Sequence, residues 1–167
     1  MTSLAERIAE AYAVDGPAID LGRGVHDGRL HRDAVVRIPL AMMNRHGLVA
    51  GATGTGKTKT LQGIAEQLSA AGVPVFVADM KGDLSGLAAP AEAGGAAERR
   101  CADLGVPFAP AAFPVEFLAL GGIGPGVPVR TTVSDFGPQL LAKVLQANET
   151  QEQSLALVFH YADERGL

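Results

Sequence analysis

Aromatic residues, cysteine and positive charge are all scarce in this sequence of 167 residues. Only 5% of the residues are aromatic and tryptophan is absent, so smaller aliphatic residues must supply most of the core packing. The single cysteine, Cys101, cannot form an internal disulfide, which fits a reducing compartment and predicts a cytoplasmic protein. No apolar run reaches the length of about 18 residues that a membrane span needs, and the N-terminus lacks a signal peptide's apolar segment. We therefore expect no membrane association.

The charge balance argues against a stand-alone nucleic-acid binder. The net charge is −4, with 14 Lys plus Arg against 18 Asp plus Glu, whereas such binders carry a clear basic excess. The length and the hydrophobic content of 47% instead suit a single folded α/β domain with a sizeable core.

Residues 51–58 form a phosphate-binding loop pattern. They read Gly-Ala-Thr-Gly-Thr-Gly-Lys-Thr and fit G-x-x-x-x-G-K-[ST] without a mismatch, where chance predicts roughly 0.005 matches in a chain of this composition. The glycines allow backbone N–H groups to turn toward phosphate oxygens. Lys57, the predicted catalytic residue, would reach the β- and γ-phosphates of ATP, and the Thr58 hydroxyl would bind Mg²⁺. The predicted nucleotide-binding residues are Gly51, Ala52, Thr53, Gly54, Thr55, Gly56, Lys57, Thr58 and Lys59.

The flanking sequence has the order that such a loop requires. The apolar residues 48–50 predict a short buried strand before the loop. After the loop, Leu61, Ile64, Ala65 and Leu68 follow helical spacing, and Gly72 lies where a helix would end. Strand, glycine-rich loop and helix together predict nucleoside triphosphate binding.

A second apolar stretch, residues 73–78, predicts another buried strand that ends at Asp79. A carboxylate at the end of such a strand is a candidate Mg²⁺ ligand, so Asp79 joins Thr58 as a predicted metal residue. Asp83 follows in the same polar loop and has two interpretations, a nucleotide-proximal acid or the cap of the next helical turn. His26 and His31 lack the spacing of metal ligands and are expected in solvent.

The remaining elements follow from local signals. Ser3 and Glu6 have capping-box spacing at the start of a helix over residues 2–13, and Asn148 and Gln151 have it before the last helix. Pro138 suits a first helical position. We also expect strands at 18–21 and 35–38, a turn at 22–24, a helix at 96–104, and a hairpin of strands 115–120 and 127–133. The expected division is an N-terminal helix with short strands over residues 1–38 and a P-loop domain over residues 39–167.

The segment from Asn44 into the P-loop resembles the bacterial HerA-like ATPases of the HerA–FtsK superfamily. The resemblance continues through residues 74–86, 128–134 and 145–152, and so covers roughly residues 39–167. It implies a RecA-like (ASCE) P-loop NTPase core, with a mainly parallel sheet flanked by helices. It also implies Mg²⁺-dependent ATP hydrolysis, a homo-oligomeric ring that is commonly hexameric, and helicase-like translocation on DNA.

The chain departs from this family in its acidic residues. The family's metal-binding acid and catalytic Glu end a later apolar strand, whereas the only Asp-Glu pair after Gly51 is Asp163-Glu164, in the predicted last helix. Leu118-Ala119 also stands where the family tends to show an aromatic-acid pair. The chain therefore looks like an incomplete, N-terminal part of such a protein, which binds ATP without efficient hydrolysis.

Two other functions fit the same sequence. One is a non-catalytic nucleotide-binding or assembly module that joins rings of full-length relatives. The other is a small P-loop kinase, in which Asp79 is the functional acid and Arg99 and Arg100 belong to a lid.

Overall fold

The computed structural model describes residues 3–167, which form two compact units, one up to Val115 and the other Glu116–Leu167. The P-loop lies in the first unit. The expected boundary between residues 38 and 39 stays a prediction. Within the described residues, no helix has both the length and the apolar character needed to cross a membrane.

The first helix, α1 (Leu4–Ala11), begins at the predicted capping box. The Glu6 N–H donates to Ser3 Oγ at 3.2 Å, and the Ser3 N–H donates to Glu6 Oε2 at 2.6 Å. These bonds satisfy two N–H groups that a helix start would otherwise leave unpaired. The helix is confirmed, although it ends two residues earlier than expected.

An antiparallel hairpin follows, formed by β1 (Ala18–His26) and β2 (Arg29–Pro39). Its turn is Asp27-Gly28, where both residues have positive φ, as a two-residue hairpin turn requires. The turn expected at residues 22–24 is wrong, because these residues lie inside β1, where the register shifts. Gly24 is needed there for close packing, since a Cβ would lie 3.2 Å from Ile8 of α1.

Helix α2 (Lys57–Ala70) follows the P-loop and packs on β1 through Gln67. Gln67 Oε1 accepts from the Asp20 N–H at 2.6 Å, and Gln67 Nε2 donates to the Asp20 carbonyl at 2.9 Å. The side-chain amide thereby satisfies both the N–H and the C=O of Asp20, as the backbone of a neighbouring strand would. Ala65 and Leu68 are buried on the same helix, which confirms the predicted apolar spacing.

Helix α3 (Ala96–Leu104) ends at Gly105, as predicted. Arg32 of β2 donates to the carbonyls of Ala102 and Asp103, both at 3.1 Å, and so satisfies two groups at the C-terminus of α3. Gly105 has φ of 69°, and a Cβ there would lie 2.8 Å from Arg32 Cδ. The left-handed conformation favours glycine at this position, and any Cβ there would displace the Arg32 side chain.

The stretches at residues 48–50 and 73–78, predicted as strands, have no ladder partner within the described residues. Leu48 is 89% exposed and Phe76 is 85% exposed, so these stretches are not the buried strands that we expected. Their apolar and β-branched residues favour extended backbone, but a strand also needs a neighbour for its N–H and C=O groups. Over residues 3–167 the structure is mixed α/β with two small two-stranded sheets, so a mainly parallel sheet stays a prediction.

The second unit contains β3 (Leu118–Leu120), β4 (Val127–Val129), α4 (Val133–Val144) and α5 (Glu149–Arg165). The pair β3–β4 is parallel, so the predicted hairpin is wrong. Its connection contains four glycines with positive φ, which lets the chain return and run alongside β3 in the same direction. Gly126 packs directly on Phe117, whose carbonyl accepts from the Val127 N–H at 2.8 Å.

Both helix starts predicted in this unit are confirmed. Gly137 breaks α4 with φ of 74° and ψ of 164°, so Pro138 begins the helical segment that follows. Asn148 and Gln151 form the capping box of α5, with bonds of 3.0 Å and 2.9 Å.

We expect the hydrogen bonds between Gln67 and Asp20 to stabilise the first unit against unfolding. Gln67→Leu leaves the partly buried N–H and C=O of Asp20 unpaired, and we expect a loss of about 1–2 kcal/mol in the free energy of unfolding. Urea unfolding followed by circular dichroism measures this. The matched control is Gln153→Leu on an exposed position of α5. Equal midpoints for the two variants would contradict the role given to Gln67.

Candidate nucleotide-binding site

The P-loop has the backbone shape that its glycines predict. Gly54 and Gly56 have φ of 81° and 98°, and Gly56 is the N-cap of α2, which starts at Lys57. A Cβ on Gly51 would lie 2.6 Å from Thr55 Oγ1. A Cβ at the first glycine of the pattern would displace the Thr55 hydroxyl, and the left-handed backbone at Gly54 and Gly56 favours glycine.

The polar side chains of the loop turn back onto its own backbone. Lys57 Nζ donates to the Ala52 carbonyl at 2.7 Å, and Thr55 Oγ1 donates to the same carbonyl at 2.8 Å. The ammonium group of Lys57 thus lies over residues 52–55. Ala52 and Thr53 are exposed, while Thr58 is partly buried in the first turn of α2.

Asp79 organises the polar loop at residues 79–84. Its Oδ1 accepts from the N–H groups of Lys81 and Gly82 at 3.1 and 2.8 Å, and its Oδ2 accepts from the Leu84 N–H at 2.8 Å. The Leu84 bond, with smaller contributions from Lys81 and Gly82, holds the pKa of Asp79 below its ordinary value of 3.8. In this structure the carboxylate therefore acts as a cap for its own loop.

Gln62 connects that loop to the P-loop helix. Its Oε1 accepts from Lys59 Nζ at 2.7 Å and its Nε2 donates to the Asp83 carbonyl at 2.8 Å. The residue is only 6% exposed, so both ends of a buried amide are satisfied. Gln62 is not among the residues predicted from the sequence, although its position five residues after Lys57, on the buried face of α2, indicates a buried polar side chain.

The predicted residues are thus brought together only in part. Lys57, Thr58 and Lys59 lie in the first turn of α2, next to the loop glycines. Among residues 3–167, Asp79 forms no hydrogen bond to the P-loop, and the connection runs through Gln62. The metal role of Thr58 and Asp79 stays a prediction.

The histidines and Arg99 have other neighbours, whereas Arg100, the second predicted lid arginine, lines a cleft together with Thr55 and Gly56 of the P-loop. His26 Nδ1 lies 3.7 Å from Asp27 Oδ2, and the rings of His26 and His31 are 6.5 Å apart. Within the described part of the chain, no cluster of three potential metal ligands occurs. Arg99 Nη1 donates to the Gly94 carbonyl at 2.8 Å, beside the start of α3.

Comparison with protein families shows where this chain belongs. The family model described as "Helicase HerA-like C-terminal" matches residues 26–167, which is most of the chain and includes the P-loop. The chain belongs to the HerA-like helicase family. Neither the curated proteins nor the solved structures give a significant match.

The family match also corrects one expectation. The chain was expected to be an N-terminal part of a HerA-like protein, but the matching model describes a C-terminal region. The segment that carries the P-loop lies inside that region, so the N-terminal interpretation is wrong.

The bonds of Asp79 predict a pH response of its loop. Because the pKa of Asp79 is lowered on folding, its contribution to stability is present above pH 3.8 and is lost as the pH falls through the lower, folded value. Amide hydrogen exchange at Gly82 and Leu84 should accelerate over that range, relative to the intrinsic rates. Asp79→Asn should accelerate it at pH 7, whereas Asp83→Asn serves as the control. Unchanged protection in Asp79→Asn would contradict the capping role.

We expect the hydrogen bond from Gln62 to Asp83 to protect the loop at residues 79–84 from proteolysis. Gln62→Met keeps the side-chain length but leaves the Asp83 carbonyl unpaired, so the loop should open more often. We expect tryptic cleavage after Lys81 to become several-fold faster, by analogy with other locally opened loops. Gln153→Met is the matched control. Cleavage at the wild-type rate would show that Gln62 does not hold the loop.

Proposed function

We propose that this HerA-like chain binds ATP with Mg²⁺ at its P-loop, as the nucleotide-binding part of a helicase-like ATPase. The observation that carries the proposal is the P-loop at residues 51–58, with left-handed Gly54 and Gly56 directly before α2, inside the matched family region. N–H groups at such a helix start are unpaired and attract anions. Family membership supports an ATPase context for this loop.

Each residue has a distinct part in the proposal. On nucleotide binding, Lys57 Nζ exchanges its hydrogen bond to the Ala52 carbonyl for bonds to the β- and γ-phosphates. The exchange is favourable because an ammonium group bonds more strongly to a charged oxygen than to a neutral one. The loop N–H groups bind the phosphate oxygens, and the Thr58 hydroxyl contributes a ligand to Mg²⁺. Lys59 is held toward Gln62 and lies beside the phosphates.

Asp79 is the less direct of the two proposed metal residues. Its Oδ1 already accepts two N–H bonds, while its Oδ2 accepts one and keeps a free lone pair. We propose that Asp79 approaches Mg²⁺ through Oδ2, while the rest of its carboxylate holds the loop.

Binding without efficient hydrolysis is the form of this function that we favour for the chain by itself. Asp163 and Glu164 lie within α5, and Glu164 Oε1 is 3.4 Å from His160 Nε2 on the exposed helix surface. This pair is therefore not the acid pair at a strand end that hydrolysis in the family would use. A non-catalytic nucleotide-binding module is the second candidate that the same observation supports.

The wider properties of the family enter as proposals. We propose a cytoplasmic protein that forms a homo-oligomeric ring, hexameric in the complete assembly, with a RecA-like parallel sheet in the complete core. DNA translocation would require the ring, because a net charge of −4 gives a single chain little attraction for phosphates.

Nucleotide binding can be tested directly on the chain. Lys57→Ala removes the phosphate-binding ammonium, and we expect the affinity for Mg·ATP to fall about tenfold or more. Isothermal titration calorimetry measures it, with Lys143→Ala on the exposed side of α4 as the matched control. Equal ATP affinity in wild type and Lys57→Ala would contradict the proposal. ATP turnover measured on the same samples separates binding from hydrolysis, and rapid turnover lost in Lys57→Ala would overturn the non-catalytic form.

A further inference from the structure

A cleft of about 310 Å³ runs along α2 and opens beside the P-loop. Thr55 and Gly56 line its P-loop end, and Lys59, Thr60, Gly63 and Gln67 follow along one face of the helix. Residues 20–22 of β1 line it too, together with Arg100 and Leu104 of α3. The cleft is thus continuous with the predicted phosphate site but extends beyond it.

The lining changes character along the helix. Lys59 and Thr60 lie in the first turn, next to the proposed phosphates. Farther along, the Gln67 amide already has protein partners in the backbone of Asp20 and Gly63, while the Arg100 side chain also lines the cleft. The lining is divided about equally between polar and apolar surface, and Leu21, Ile64 and Leu104 contribute its aliphatic part. Such mixed walls suit a nucleoside, which presents a flat ring and polar ribose hydroxyls.

Gly63 lies in the wall of this cleft, where the space above the helix is open. It lies in the interior of α2 with ordinary negative φ, so its backbone does not require glycine. Glycine at such a position destabilises a helix relative to alanine. A Cβ at Gly63 would meet nothing within 4 Å, which means that the space above it is empty. A side chain there would project into the cleft.

We propose that this cleft binds the nucleoside part of the nucleotide whose phosphates occupy the P-loop. The proposal rests on the proposed function and extends it to the base and ribose. The phosphates at the start of α2 direct the rest of the molecule toward Lys59 and Thr60, and the base lies over Gly63 between Leu21, Ile64 and Leu104. The volume is near the lower end for small-molecule sites, about 300 Å³, which fits one nucleoside.

The test compares two ligands that share the phosphate chain. Mg·ATP and Mg·tripolyphosphate are titrated into the full chain by calorimetry, in wild type and in Gly63→Leu. Wild type should bind ATP more tightly than tripolyphosphate. Gly63→Leu fills the cleft without touching the P-loop, so its ATP affinity should fall about tenfold while its tripolyphosphate affinity stays the same.

The controls separate this inference from the proposed function. Ser69→Leu makes a similar change on α2 outside the cleft and should leave both affinities unchanged, whereas Lys57→Ala should weaken both ligands. Leu21→Ser alters the opposite wall and should weaken ATP alone, which gives a second reading if Gly63→Leu fails to fold. Equal changes for both ligands, or no change for ATP, would overturn the cleft while leaving the P-loop proposal standing. A wild-type chain that binds neither ligand would overturn both.

Discussion

The arrangement of the first unit depends on the pairing of one side-chain amide, that of Gln67, with the backbone of Asp20. Because the amide supplies both a donor and an acceptor, it satisfies the N–H and the C=O of a single strand residue. This fixes the distance and rotation of α2 relative to β1. The contact thereby also positions the start of α2 and the P-loop that precedes it. The cleft beside Gly63 exists for the same reason, since its two main walls are the surfaces that Gln67 joins.

A second amide on α2 has the corresponding role toward the Asp79 loop. Gln62 and Gln67 are five positions apart and face different neighbours, Asp83 in one case and Asp20 in the other. An amide that is buried, as in Gln62, or partly buried, as in Gln67, has several hydrogen-bonding groups that are costly to leave unpaired, so it tolerates few alternative arrangements. Two such residues on one helix therefore give α2 a defined orientation, although few large apolar side chains are fully buried in this unit.

Structural features that depend on residues close together in the sequence could be predicted, whereas features that depend on distant residues could not. The capping boxes at Ser3 and Asn148, and the end of α3 at Gly105, are local and were found. The P-loop geometry is local too, since its glycines determine its backbone. The predicted strands at residues 48–50 and 73–78 are absent from the described residues. A strand needs a neighbouring strand for its hydrogen bonds, and the composition of a segment does not show whether that neighbour exists. The parallel β3–β4 pair and the Gln62 contact also depend on distant residues.

The hydrogen bond of Lys57 bears on how the loop would respond to the nucleotide that we propose as its ligand. The positive φ angles of Gly54 and Gly56 are already in place, so the backbone has little conformational entropy left to lose on binding. Lys57, by contrast, is bonded to a neutral carbonyl of its own loop. Exchange of that carbonyl for a phosphate oxygen turns an ordinary hydrogen bond into a charge-assisted one. In the ATP complex that we propose, the lysine side chain rather than the backbone would therefore undergo the main rearrangement, and the affinity would come from charge more than from new ordering.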